Sequence, residues 1–89
     1  MRWFIMRKSN YSYYQGAIKE CYITQNKHFP EVSEEVLKGS LVLIDEYIDV
    51  VLDTFLSHGL QENYEPNKYG IELESIQDYL IEMRCAIVG

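Results

Sequence analysis

The sequence has few of the residues on which catalytic and metal-binding sites depend. Its 89 residues include two cysteines, two histidines and two prolines. Cys21 and Cys85 are far apart and form no CxxC pair, and with His28 and His58 they match no zinc-ligand spacing. No GxSxG, P-loop or dinucleotide-binding glycine pattern occurs. We therefore expect no enzyme activity, no cofactor, no metal site and no disulfide.

Long apolar runs are also missing. A membrane-spanning helix needs about 20 mainly apolar residues, whereas the run from Leu41 to Ile44 stops at Asp45 and Glu46. The opening MRWFIMRK has an apolar part of four residues, and a secretion signal needs about 7–15. We expect a cytoplasmic protein that does not enter a membrane.

Positive charge is scarce beyond the first third of the chain. Residues 1–30 carry five basic residues and one acid, a net charge of +4, and residues 31–89 carry three basic residues and thirteen acids, a net charge of −10. A strongly acidic segment repels nucleic acid and attracts basic proteins. We expect a protein partner and no nucleic-acid partner. A nucleic-acid binder that uses Arg2, Arg7 and Lys8 is the weaker alternative.

Apolar residues recur at helical spacing in three stretches, which predicts an all-α fold. The first helix is predicted from Ser9 to Gln25, with Asn10 or Ser12 as its N-cap, and residues 1–8 as a helix or an extended arm. The second runs from Ser33 to Gly59 and either kinks or divides at Gly39. The last covers 71 to about 86. We predict a single domain over residues 1–89, a small antiparallel bundle of three to four helices.

The second helix is predicted to occupy the middle of the bundle because it has two apolar faces. At about 100° per residue, one face includes Ile44 and Val51, and the other includes Val36, Leu43 and Val50. Acidic residues fill the wider gap between these faces. Lysine and arginine are absent between residues 40 and 64, so these acids lack the i,i+4 partners usual on a solvated helix face. The acids of this strip are Asp45, Glu46, Asp49 and Asp53.

Tyrosines lie close in sequence to this strip. Tyr47 is in the same helix, and Tyr64 and Tyr69 are in the following loop, among Glu62 and Glu65. Aromatic anchors surrounded by charge are typical of tight protein interfaces. The predicted partner-binding residues are Asp45, Glu46, Asp49, Asp53, Glu62, Tyr64, Glu65 and Tyr69.

A small, acidic, tyrosine-rich helical protein resembles the immunity proteins that neutralise bacterial toxins, of the colicin and contact-dependent growth inhibition kinds. The stretch FLSHGLQENYEPNKYGIELESIQDYL, residues 55–80, resembles the C-terminal helix-loop-helix of small proteins encoded near such toxins. This stretch is under a third of the chain and centres on the loop from Glu65 to Gly70. The resemblance implies a stoichiometric inhibitor of a cognate toxin domain, and no site residue is carried over from it. The charge argument adds that this toxin is basic, as a nuclease would be.

A second hypothesis is a structural or regulatory adaptor that acts as a homodimer. In this case the face with Val36, Leu43 and Val50 would be buried against a second copy of the chain. We expect a monomer, which favours the inhibitor, and a stable dimer would favour the adaptor.

Overall fold

The protein folds as a bundle of four α-helices. The computed structural model describes the backbone of residues 2–63 and 65–88, and the side chains of these residues from Tyr11 onward. The helices are α1 (Arg2–Thr24), α2 (Glu34–Lys38), α3 (Leu41–His58) and α4 (Lys68–Val88). Within these ranges there is no strand, and none of the helices is both long and apolar enough to span a bilayer. The prediction of an all-α bundle of three to four helices is confirmed.

Helix α1 begins earlier than the capping pattern predicts. It starts at Arg2, so Asn10 and Ser12 lie inside it and neither is its N-cap. Residues 2–9 contain no proline or glycine, and a capping residue starts a helix only where the preceding chain leaves the helical conformation. The helix ends at Thr24, and Asn26 then adopts a left-handed backbone with a φ of 58°.

The stretch from Ser33 to Gly59 divides at Gly39, which settles the alternative that the sequence left open. The Ser33 hydroxyl accepts a hydrogen bond from the backbone N–H of Val36 at 3.3 Å and caps α2. The Ser40 hydroxyl accepts one from Leu43 N–H at 3.2 Å and caps α3. Because each helix has its own N-cap, α2 and α3 are separate helices rather than two parts of one kinked helix. Helix α3 ends at His58, and Gly59 is its C-cap.

Helix α3 is the central element, and both of its apolar faces are covered within one chain. Ile44 and Val51 are fully buried, and Val50 on the second face is 2% exposed. The side chain of Gln25, in the turn that follows α1, donates hydrogen bonds to Val50 O at 2.8 Å and to Thr54 Oγ1 at 2.9 Å. Val36, which the sequence assigned to the second face, is 54% exposed because it belongs to the separate helix α2.

Two glycines bring the end of α3 against the start of α4. Gly70 lies so close to Gly59 that a Cβ added at Gly70 would overlap the carbonyl oxygen of Gly59. Asn67 fixes this crossing through three hydrogen bonds. Its backbone N–H donates to Gly59 O at 2.9 Å and its side-chain amide donates to His58 O at 3.1 Å. Its Oδ1 accepts from Gly70 N–H at 2.7 Å, so α4 begins at Lys68 rather than at Ile71.

Candidate partner-binding surface

The acidic strip predicted on α3 is exposed, but its two edges are held by the neighbouring helices. On the α1 side, the Tyr22 hydroxyl donates a hydrogen bond to Glu46 Oε2 at 2.8 Å. Burial, together with the adjacent Glu46 carboxylate, raises the pKa of Tyr22, so its hydroxyl stays protonated and keeps donating. On the α4 side, Arg84 Nε donates to Asp45 Oδ1 at 2.7 Å. Asp45 and Glu46 therefore form contacts between helices and are also part of the acidic surface.

Arg84 supplies the strip with a cation, although the sequence between residues 40 and 64 contains no lysine or arginine. It is 39 residues from Asp45 in sequence, and the antiparallel packing of α4 on α3 brings the two together. Both side chains are about half exposed, and ion pairs of this kind contribute about 0–1 kcal/mol. Arg84 neutralises part of the charge at the N-terminal end of the strip and stabilises the fold little.

Asp49 and Asp53 form the free centre of the strip. Both are exposed, and no described side chain forms an ion pair or a hydrogen bond with either of them. Apolar side chains are exposed beside them: Val42 is 80% exposed, Leu52 42% and Leu56 58%. We call the residues Val42, Asp49, Leu52, Asp53 and Leu56 the α3 strip. It differs from the predicted acidic strip because it omits Asp45 and Glu46 and includes the three exposed apolar residues.

The loop between α3 and α4 carries further acids at the same end of the bundle as Asp53. Asp53 is five residues before the end of α3, about 7.5 Å along the helix axis. Glu62 and Glu65 are both exposed in the loop. The backbone N–H of Gln61 donates to Glu65 O at 2.8 Å, and Leu60 pairs with Pro66, so the loop folds back on itself. Tyr64 lies outside the described residues.

The other two tyrosines named from the sequence point into the core. Tyr47 is fully buried, and its hydroxyl donates to Pro30 O at 2.7 Å. Tyr69 is half-buried against the core, with its hydroxyl 3.9 Å from Cys21 Sγ. Burial is the main cause that raises the pKa of each of these tyrosines to about 12. Tyr47 therefore offers no anchor, and Tyr69 offers only part of its ring.

A groove between α3 and α4 adjoins the strip, and sequence reasoning missed it. Its volume is about 210 Å³. Oε1 of Gln77 is buried in its wall and accepts no hydrogen bond from the described residues. Such a groove depends on how two helices pack, and the only sequence signal for it was Leu52, an apolar residue directly before Asp53. The groove is lined by Val51, Leu52, Phe55, Leu73, Glu74 and Gln77.

A second cleft, of about 460 Å³, lies between α1, α2 and α4. Its wall includes Tyr14 and Tyr79, whose rings stack with centroids 4.1 Å apart. The Tyr79 hydroxyl donates to Glu34 Oε2 at 3.4 Å, and burial, followed by this carboxylate, raises the pKa of Tyr79. Lys38 also lines the cleft and is 4.0 Å from Glu34. None of the described residues of α3 lines this cleft, so it is separate from the strip.

Other sites are not apparent in the part of the chain that the structure describes. There, no group of three or more histidine, cysteine or acidic side chains is arranged to hold a metal ion. Cys21 is buried and Cys85 is exposed, and neither forms a disulfide. Comparison with protein families, with functionally described proteins and with solved structures finds no match.

Proposed function

We propose that the chain is an immunity-type inhibitor that acts in the cytoplasm, where it binds a basic bacterial toxin domain and neutralises it. The α3 strip and the exposed acids Glu62 and Glu65 make the contact. The observation that carries this proposal is the pair Asp49 and Asp53, exposed on the central helix and unpaired among the described side chains. A nuclease is the preferred target because its basic groove binds phosphates, and a row of carboxylates can take their place.

The composition of the strip supports a protein partner. Carboxylates without a cation beside them keep their attraction for a basic surface, which speeds association and makes it sensitive to salt. The exposed Val42, Leu52 and Leu56 add apolar area that is withdrawn from water on binding. Protein interfaces combine apolar contacts at their centre with a polar rim, whereas nucleic acid offers few apolar groups for such side chains.

The proposal predicts that a gene immediately upstream of this chain's gene encodes a basic domain, and the test uses that domain, purified and titrated by calorimetry. The variant is Asp49→Asn with Asp53→Asn, which removes two charges and keeps the side-chain shapes. Its matched control is Glu20→Gln with Glu35→Gln, which changes two exposed acids outside the strip and alters the net charge by the same amount. We expect the strip variant to lose at least about tenfold in affinity and the control to lose little.

Two results would contradict this proposal. If the upstream domain neither binds the chain nor loses its toxicity when the chain is co-expressed, the inhibitor function is wrong. If both double variants weaken binding equally, only the overall charge matters and the α3 strip is not the contact.

The homodimeric adaptor is less well supported by this geometry. Val50 is buried and Leu43 is half-buried within one chain, so of the face proposed for the dimer only Val36 remains exposed. A homodimer would have to use another surface.

A further inference from the structure

The groove between α3 and α4 is an apolar depression in an otherwise charged surface. Four of its six lining residues are apolar: Val51, Leu52, Phe55 and Leu73. An apolar cavity of about 150 Å³ is large enough to hold benzene, so a groove of about 210 Å³ accommodates one aliphatic side chain. Leu52 forms a wall of the groove and is also part of the α3 strip, which makes the two features one continuous surface.

The charged side chain that lines the groove and the two that are closest to Leu52 on α3 are all acidic. Glu74 lines it from α4 and is exposed, and Asp49 and Asp53 lie three residues before and one residue after Leu52. Neither cation of α4 lines the groove. Lys68 is five residues before Leu73, about 7.5 Å along the helix, and Arg84, which is ion-paired with Asp45, is seven residues after Gln77, about 10 Å along the helix. A partner with lysine or arginine on both sides of its inserted side chain would match this rim.

Gln77 adds a polar side chain to the wall of the groove. Its Oε1 is buried without a hydrogen-bond donor among the described residues, and an unsatisfied buried acceptor is destabilising. Gln77 is also one of the lining residues, so its amide is close to any segment that enters the groove.

We propose that this groove is the anchor site for the partner: it takes one aliphatic side chain from a protein segment that carries a basic residue on each side. This inference rests on the proposed function and names the chemistry of the segment that binds there. A second copy of the chain fits poorly because it would bring Asp49, Asp53 and Glu74 of one copy against the same acids of the other. An anchor in a desolvated pocket inside a charged rim is the usual arrangement of the residues that dominate binding energy.

The first experiment uses three blocked tripeptides as probes of the intact chain, followed by ¹H–¹⁵N NMR. The probes are Lys-Leu-Lys, Lys-Ser-Lys and Glu-Leu-Glu. We expect Lys-Leu-Lys to shift the Gln77 side-chain amide and the backbone amides of Leu52 and Phe55, with at least about fivefold tighter binding than either other peptide. Equal binding of Lys-Ser-Lys removes the apolar anchor from the proposal, and shifts confined to other surfaces overturn it.

The second experiment separates this inference from the proposed function. Leu52→Ala is compared with Ile23→Ala, an exposed aliphatic residue of α1, in calorimetric titrations with the purified upstream basic domain. We expect Leu52→Ala to lose about tenfold in affinity and Ile23→Ala to lose less than about twofold. If the domain binds and both variants bind as the parent does, the anchor site is wrong and the inhibitor function stands. If the domain does not bind the parent chain, the proposed function fails. The groove proposal then fails as well if Lys-Leu-Lys does not bind there more tightly than the other two peptides.

Discussion

Glycine is required by the packing at one position of this chain and is not required at another. At Gly70 the backbone of Gly59 fills the space that a side chain would need, so glycine is required for the crossing of α3 and α4. At Gly16, in the middle of α1, nothing lies within 4 Å of an added Cβ. There glycine only lowers the helix propensity.

We therefore expect Gly70→Ala to destabilise the protein and Gly16→Ala to stabilise it. Alanine at Gly70 must push the two helix ends apart, which we expect to cost about 2 kcal/mol or more, whereas alanine at Gly16 gains up to about 1 kcal/mol. Urea unfolding followed by circular dichroism measures both changes. An unchanged midpoint for Gly70→Ala would contradict the close approach of the two helices.

Buried tyrosines determine how the protein responds to alkali. The pKa values of Tyr47 and Tyr69 are raised to about 12, and in the unfolded chain tyrosine titrates near its ordinary value of about 10. Between these values the unfolded chain loses protons that the folded chain retains. The stabilisation is complete below about pH 10 and is lost as the pH rises toward 12.

The expected result is a melting temperature that falls as pH rises above about 10. Tyr69→Phe should make this fall shallower, because it removes one titrating group and breaks only a long contact of 3.9 Å with Cys21. Thermal unfolding at a series of alkaline pH values measures the slope. A slope that is identical in the parent and the variant would show that Tyr69 titrates normally in the fold.

At the scale of the elements, the division between α2 and α3 depends on one serine. Ser40 caps α3 through its hydroxyl, and its backbone is extended, with φ −126° and ψ 96°. In a continuous helix the same residue would be an interior position, where serine is a weaker helix former than alanine. The two arrangements therefore predict opposite effects of one substitution.

Ser40→Ala should destabilise the protein by about 0.5–2 kcal/mol, since an N-cap hydrogen bond is lost. The reverse sign, a gain in stability, would indicate that α2 and α3 join into one helix. Chemical denaturation at neutral pH measures the sign, and Ser57→Ala, an exposed position in the last turn of α3, is the control for a general serine effect.

At the scale of the whole molecule, charge and packing both favour a monomer. The net charge is −6, which opposes self-association, and the second apolar face of α3 is covered by α1. The apolar side chains that remain exposed on α3 lie beside Asp49 and Asp53, whose negative charges oppose contact with a second copy.

We expect light scattering after size-exclusion chromatography to give a single species near 10.5 kDa at low and at moderate ionic strength. If high salt screens the acids and a dimer of about twice this mass forms, the apolar part of the strip is self-complementary. The adaptor hypothesis would then gain support. Val42→Asp, at the most exposed apolar residue of α3, should abolish such a dimer.

The sequence alone determined the features that depend on neighbours a few residues apart. Apolar spacing predicted the all-α bundle and the central position of the helical stretch from Ser33 to Gly59, because helices are stabilised by contacts and caps within about one turn. The weak point at Gly39 was also visible, although the sequence could not decide between a kink and a break.

Only the tertiary structure determined which side chains contact the acidic strip. Asp45 pairs with Arg84 at a separation of 39 residues, and Glu46 accepts from Tyr22 at a separation of 24. The burial of Tyr47 and the groove beside Leu52 likewise depend on which helices pack together. Helical periodicity predicts the direction in which a side chain points from its own helix. Which residue that side chain contacts depends on where the other helices lie. For this reason Asp49 and Asp53 emerged as the free pair of the strip only when all four helices were in place.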